Sequence, residues 1–130
     1  MITDKIFEIL SGFECIKNRE LEIDFLLNDG ISIEPVSDVT VKTYVSGERL
    51  CRFEFKLSLN TDYLKENVKE VYRFFESFKS ELETQKAADI GDKIYALSFS
   101  QEGDFETKHL SGTQMKYAVK CALNYYKRGE

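Results

Sequence analysis

The amino-acid sequence predicts an α+β domain: an antiparallel or mixed β-sheet with a short N-terminal helix and one long helix packed on a face. Three observations carry that expectation. From Leu64 to Leu82 apolar residues recur at steps of four, three, four, three and four, which is the period of a helix stripe. From Cys51 to Leu59 and from Met115 to Tyr125 every second residue is apolar, the period of a strand with one buried face. The blocks follow one another as helix, strands, long helix, strands, which favours an antiparallel sheet over alternating parallel units.

At the start of the chain Thr3 stands before Ile6, Phe7, Ile9, Leu10 and Phe13, a helical spacing with a cap-type side chain in front and Gly12 near its end. Leu21, Ile23, Phe25 and Leu27 then read as a first strand, stopped by the turn signal Asn28-Asp29-Gly30. Ile31 to Val36 is a short extended piece. Pro35 within it lacks an N–H donor and points to an edge position or a strand end.

Val39, Val41, Thr43 and Val45 lead through Ser46-Gly47-Glu48-Arg49 into Cys51, Phe53, Phe55, Leu57 and Leu59. The alternate positions Arg52, Glu54, Lys56 and Ser58 are polar, so the second strand of this hairpin turns one face to the core and the other to solvent or another subunit. Asn60-Thr61-Asp62 offers cap-type side chains for the long helix, expected from Asp62 to about Lys86. Leu64, Val68, Val71, Phe75, Phe78 and Leu82 form its stripe, while Glu66 with Lys69, Glu70 with Arg73 and Glu76 with Lys79 place opposite charges on its wet side. The stripe is short for a coiled coil, and its aromatics favour packing on a sheet.

Ala87 to Asp92 reads as a loop, after which Tyr95, Leu97 and Phe99 alternate as a strand. Gln101-Glu102-Gly103-Asp104 is polar and loop-like, Phe105 to Leu110 is extended, and Ser111-Gly112 turns into the last strand, where Met115, Tyr117, Val119, Cys121, Leu123 and Tyr125 face one side. Tyr44, Phe74 and Tyr126 fall off the apolar faces and are candidates for subunit contacts.

Residues 1–130 contain one proline and no Gly/Ser-rich stretch that could serve as a linker, so a single domain is expected. Asp4, Lys5 and Glu8 interrupt the apolar pattern of the first eleven residues, which is unlike a secretory leader, and no apolar run approaches the length of a membrane span. A cytosolic protein without membrane contact is the expectation. A net charge of −5 argues against a surface that grips nucleic acid by neutralising phosphates.

Cys15, Cys51 and Cys121 are far apart in sequence and set in apolar patterns, and with the single His109 they lack the close-pair spacing that anchors zinc. They read as buried thiols rather than metal ligands. The sequence has no Gly-rich phosphate loop, no Ser with a His and an acid in a plausible arrangement, and no close cysteine pair. No catalytic residue, metal or cofactor is therefore expected.

Several short motifs carry a resemblance. Tyr44-Val45-Ser46-Gly47 at a strand tip, Arg52-Phe53-Glu54-Phe55 in the strand that follows, the long helix, and Gly112-Thr113-Gln114-Met115-Lys116-Tyr117 with Leu123-Asn124-Tyr125 in the closing strand resemble the tail-terminator or minor capsid proteins. These belong to long-tailed phages and prophages of Gram-positive bacteria. The likeness covers about the last hundred residues by architecture, and departs where many relatives carry a Gly-Leu-Pro type turn and this chain has Ala87 to Asp92.

The resemblance implies a structural virion protein that caps the tail tube as a homo-oligomeric ring, usually of six subunits, and joins tail to head. Its partners would be itself, the tail-tube protein and a head-completion or neck protein, with DNA only as cargo in the lumen. It would be found in the host cytoplasm during assembly and then in the virion tail. Contacts are expected from the polar, glycine-containing segments that flank strands: Ser46, Gly47, Glu48 and Arg49 in one, and Gln101, Gly103, Asp104, His109, Ser111, Gly112 and Thr113 in the other. Two other classes stay open: a ligand-binding or enzymatic α+β domain with a helix-covered pocket, and a small acidic immunity or antitoxin-like protein.

Overall fold

The computed structural model describes residues 2–16, 21–23, 30–62 and 68–128. Two helices, α1 (Ile2–Ser11) and α2 (Val68–Glu83), pack on one face of a six-stranded sheet. The strands are β1 (Leu21–Ile23), β2 (Gly30–Thr43), β3 (Arg49–Asp62), β4 (Ala88–Gly91), β5 (Ile94–Ser111) and β6 (Gln114–Lys127), in the order β1-β2-β3-β6-β5-β4. Every neighbouring pair is antiparallel except β1 with β2, so the sheet is mixed and the α+β class holds.

The two most regular sequence stripes pair with each other at the centre. β3 and β6 match without a break from Arg49 opposite Lys127 to Asp62 opposite Gln114, which brings Phe55 against Cys121, Leu57 against Val119 and Leu59 against Tyr117 on the helix side. All six are buried. α2 covers them with Val71, Phe74, Phe75, Phe78 and Leu82, and α1 adds Ile2, Ile6 and Leu10. The segment after α1 meets α2 where the rings of Phe13 and Phe78 lie 5.9 Å apart. Each fully buried side chain of this size contributes about 1.5–3 kcal/mol relative to exposure, so this cluster supplies most of the favourable term in folding.

Several elements differ from the sequence expectation, each for a physical reason. Ile31 to Val36 and Val39 to Thr43 form one strand, β2, broken in register between Pro35 and Ser37 and again between Thr40 and Lys42. Bulges let a strand bend without ending, so Pro35 sits at an edge inside a continuous strand. Val36, Val39, Val41 and Val45 are exposed: Val36 and Val41 stand in the two bulges, Val39 lies opposite Arg52 on the face away from the helices, and Val45 is in the turn.

Asn60, Thr61 and Asp62 are the last residues of β3, where they pair with Lys116, Met115 and Gln114 of β6. Among the described residues α2 runs from Val68 to Glu83, ending short of Lys86, with Val68 and Tyr72 exposed and Phe74 buried against Phe75 and Phe78 rather than offered to a partner. Leu64 and Glu66 lie outside the described residues, as do Phe25, Leu27, Asn28 and Asp29. Thr3 is buried within α1 instead of standing before it.

Ala88 to Gly91 is a strand, joined to β5 by a two-residue turn in which Asp92 and Lys93 have φ of 53° and 63°. Positive φ at both central residues marks the type I′ turn, whose twist suits a hairpin. β5 is continuous from Ile94 to Ser111; the loop-like Gln101 to Asp104 runs into a bulge between Glu102 and Glu106. A second bulge, between Ala96 and Ser98, shifts the phase so that Ile94, Ala96 and Phe99 are buried and Tyr95 points out.

Candidate functional site

The residues expected to make contacts fall into two groups that the fold holds far apart. Ser46 to Arg49 cap the β2–β3 hairpin, at the end where Arg49 pairs with Lys127. Ser111, Gly112 and Thr113 cap the β5–β6 hairpin at the other end, beside the pairing of Asp62 with Gln114. Fourteen residues of β3 separate them, or about 45 Å at the rise of a strand. They cannot form one site.

Each tip has its own local order. The Tyr44 amide donates to the Glu48 carbonyl at 2.8 Å and the Gly47 amide to the Tyr44 carbonyl at 3.0 Å, with Gly47 at a φ of 91° that disfavours other residues. Tyr44 also packs edge-on against Tyr126, ring centres 6.0 Å apart, and lies under the Lys42 ammonium at 5.1 Å. At the far tip a ring nitrogen of His109 bonds to the Gly112 carbonyl oxygen at 2.8 Å. Gln101 Nε2 donates to the Gly103 carbonyl at 3.0 Å across the β5 bulge, beside the exposed Asp104.

The sheet face away from the helices is a ledger of paired charges. Lys120 Nζ lies 3.2 Å from Glu54 and 3.9 Å from Glu102, and Arg52 contacts both carboxylates. These side chains close over Ala122, which is fully buried. The hydrogen bond from Lys120, then the one from Arg52, holds the Glu54 carboxyl below its ordinary range. Farther along, Lys116 reaches over β3 and donates to Glu34 at 2.7 Å. Two shallow hollows of about 410 and 220 Å³ flank Ala118 between these bridges.

On the helix side a groove of about 470 Å³ opens beside β2, walled by Ile2, Thr3, Phe53, Ile94 and Tyr125 and rimmed by Pro35 to Asp38, Asp92 and Lys127. Tyr125 donates its hydroxyl to Asp38 Oδ1 at 2.7 Å. Burial first, and then the Asp38 carboxylate, push the phenol pKa up, so this tyrosine stays protonated and holds its proton toward Asp38.

The three cysteines are free thiols set in different places. Cys51 pairs across β3–β6 with Tyr125 and Cys121 with Phe55, Cys15 is half-buried after α1, and His109 is exposed at the far tip. Among the described residues no group of three His, Cys, Asp or Glu side chains is placed to hold a metal ion. Among them, too, no helix is long and apolar enough to cross a membrane.

Sequence reasoning missed the two long edges of the sheet. Among the described residues β1 covers the outer side of β2 at Ile31 to Ile33, and no strand lies on that side from Glu34 to Thr43. At the opposite flank β4 covers β5 from Ile94 to Ala96, and among the described residues no strand lies outside Ser98 to Ser111. The signal was present in β2, where valines alternate with Ser37, Asp38, Thr40 and Lys42 around a proline, a pattern as fit for an edge as for a core strand. Compared with protein-family models and with curated proteins, the chain matches none.

Proposed function

We propose that this chain is a non-enzymatic virion protein that assembles as a ring, of six copies by the family resemblance, at the end of a phage tail tube and joins it to the head. What supports the reading is the pair of flanks left uncovered among the described residues: one sheet presents two different edges, the outer sides of β2 and β5. A ring needs two unlike surfaces on each subunit, one for each neighbour, and a sheet open on both flanks has them. The two polar tips then face opposite ends of such a ring, one for the tail-tube protein and one for the head-completion or neck protein. DNA passes as cargo, and the protein moves from the host cytoplasm into the virion tail.

Deletion of the gene in its phage or prophage, viewed by negative-stain microscopy, tests this directly. Overlong tubes, or heads and tails left unjoined, are expected; normal virions would overturn it.

A second reading rests on the 470 Å³ groove, whose volume suits a small ligand. Tyr125, buried in its wall, already donates to the exposed Asp38 on its rim, so structural assembly is preferred. A thermal-shift screen of small metabolites that raised the melting temperature, and lost the effect in Tyr125→Phe, would reverse that preference.

A further inference from the structure

We propose that copies of this chain join edge to edge, β2 of one taking β5 of the next as an added antiparallel strand, in the register that sets Lys42 beside Glu106 and Asp38 beside His109. The inference rests on the self-assembly proposed above and names the surface that performs it.

Strand direction comes first. β2 runs against β3, β3 against β6 and β6 against β5, so the two edge strands of one copy point in opposite directions. Copies standing side by side with the same end up therefore meet β2 to β5 as an antiparallel pair. Each addition leaves the same two edges free, so the contact repeats and can close. β1 blocks one end of β2 and β4 blocks the other end of β5, so the free stretches meet only if neighbours slip along the strands. That slip is the stagger by which strands tilt when a sheet closes on itself.

Side-chain faces then select the register. On β2, Asp38 and Thr40 pair with Phe53 and Cys51 on the helix side, while Val39 and Lys42 pair with Arg52 and Leu50 on the charged side, the bulge falling at Val41. On β5, Thr107 and His109 pair with Tyr117 and Met115 on the helix side, while Glu106 and Lys108 pair with Ala118 and Lys116 on the charged side. Matching face to face gives Lys42 with Glu106, Thr40 with Thr107, Val39 with the Lys108 stem, and Asp38 with His109. Opposite charges, paired threonines and a hydrogen-bonding pair are all favourable across strands.

The neighbouring registers fail. A slip of one residue puts every side chain on the wrong face. A slip of two in one direction sets Lys42 beside Lys108, and in the other sets Thr40 against the bulge at Phe105, whose ring is stacked under α2 on Phe75 at 4.8 Å. Every residue in the selected register from Asp38 to Lys42 and from Glu106 to His109 is exposed in the single copy, so the surface is free to take a partner.

Two measurements test the proposal. In size-exclusion light scattering over rising protein concentration, Lys42→Glu and Glu106→Lys should each weaken self-association by roughly tenfold or more, since each replaces a favourable cross-strand pair with a repulsive one. The double exchange should restore it, with Tyr72→Lys as an unaffected control. Separately, oxidation of a mixture of Val39→Cys and Lys108→Cys copies should give a disulfide-linked pair that neither variant gives alone. Cross-linking of Val39→Cys with itself would point to a two-fold β2–β2 contact and overturn the proposal, as would a failure of the double exchange to rescue or a protein that stays monomeric and unlinked. Normal tails after gene deletion, with the cross-link intact, would remove the virion role and leave this contact standing.

Discussion

At Cys121, burial has a consequence that can be measured against pH. The thiol sits with no exposed surface in the centre of β6, and desolvation pushes its pKa from 9.0 to about 12. A folded-state value above the unfolded one means the folded chain keeps a proton that the unfolded chain loses. The stabilisation is therefore complete below about pH 9 and declines as pH rises toward 12. Urea unfolding at stepped alkaline pH should show that decline, and Cys121→Ala should show a shallower one. In the native protein this thiol should also resist Ellman's reagent until denaturant is added. Phe75 makes the complementary case for packing. Its ring lies 5.1 Å from Phe74 and 4.8 Å from Phe105, and it is almost fully buried. Phe75→Ala should cost about 3 to 5 kcal/mol, and an unchanged thermal melt would sink the placement of α2 on the sheet.

Among the elements, the β4–β5 hairpin carries the clearest backbone argument. Asp92 and Lys93 both occupy positive φ, which costs an ordinary L-residue about 1 kcal/mol each, whereas glycine adopts it freely. Lys93→Gly should therefore stabilise the protein slightly. Gly91→Ala should do the reverse, because Gly91 has a φ of 92° and a Cβ there would stand 3.2 Å from Lys5 Nζ. Paired thermal melts would check both signs together. The same hairpin shows why sequence reasoning read some elements and not others. β3 and β6 were legible because their register is unbroken and their alternation uninterrupted for fourteen residues each. β5 was not, since single extra residues at Leu97 and Leu110 each flip the two-residue phase and two more after Glu102 interrupt the pairing between them. That β3 extends through Asn60 to Asp62 was hidden for a related reason: local preference is weak against a ladder partner, and the partner lies more than fifty residues away in sequence.

Across the whole molecule the sheet is most secure at its middle and most open at its flanks. β3 and β6 are hydrogen-bonded on both sides and roofed by the helices, while among the described residues β2 from Glu34 and β5 from Ser98 pair on one side only. The candidate surface was only partly legible for this reason. The tips at Ser46 to Arg49 and Ser111 to Thr113 could be named from their turn residues, whereas an edge is a property of strand order, which periodicity does not report. Strand order also dictates how amides exchange with solvent. Opening β3 or β6 requires breaking two ladders and the core, so their exchange should follow global unfolding, whereas the free halves of the flanking strands can open locally. In hydrogen–deuterium exchange on the dilute single copy, peptides from Arg52 to Leu59 and Tyr117 to Leu123 should be slowest, and those covering Asp38 to Lys42 and Glu106 to His109 should exchange orders of magnitude faster. Equal protection in the flanking and central strands at low concentration would show that the edges are already covered within one chain.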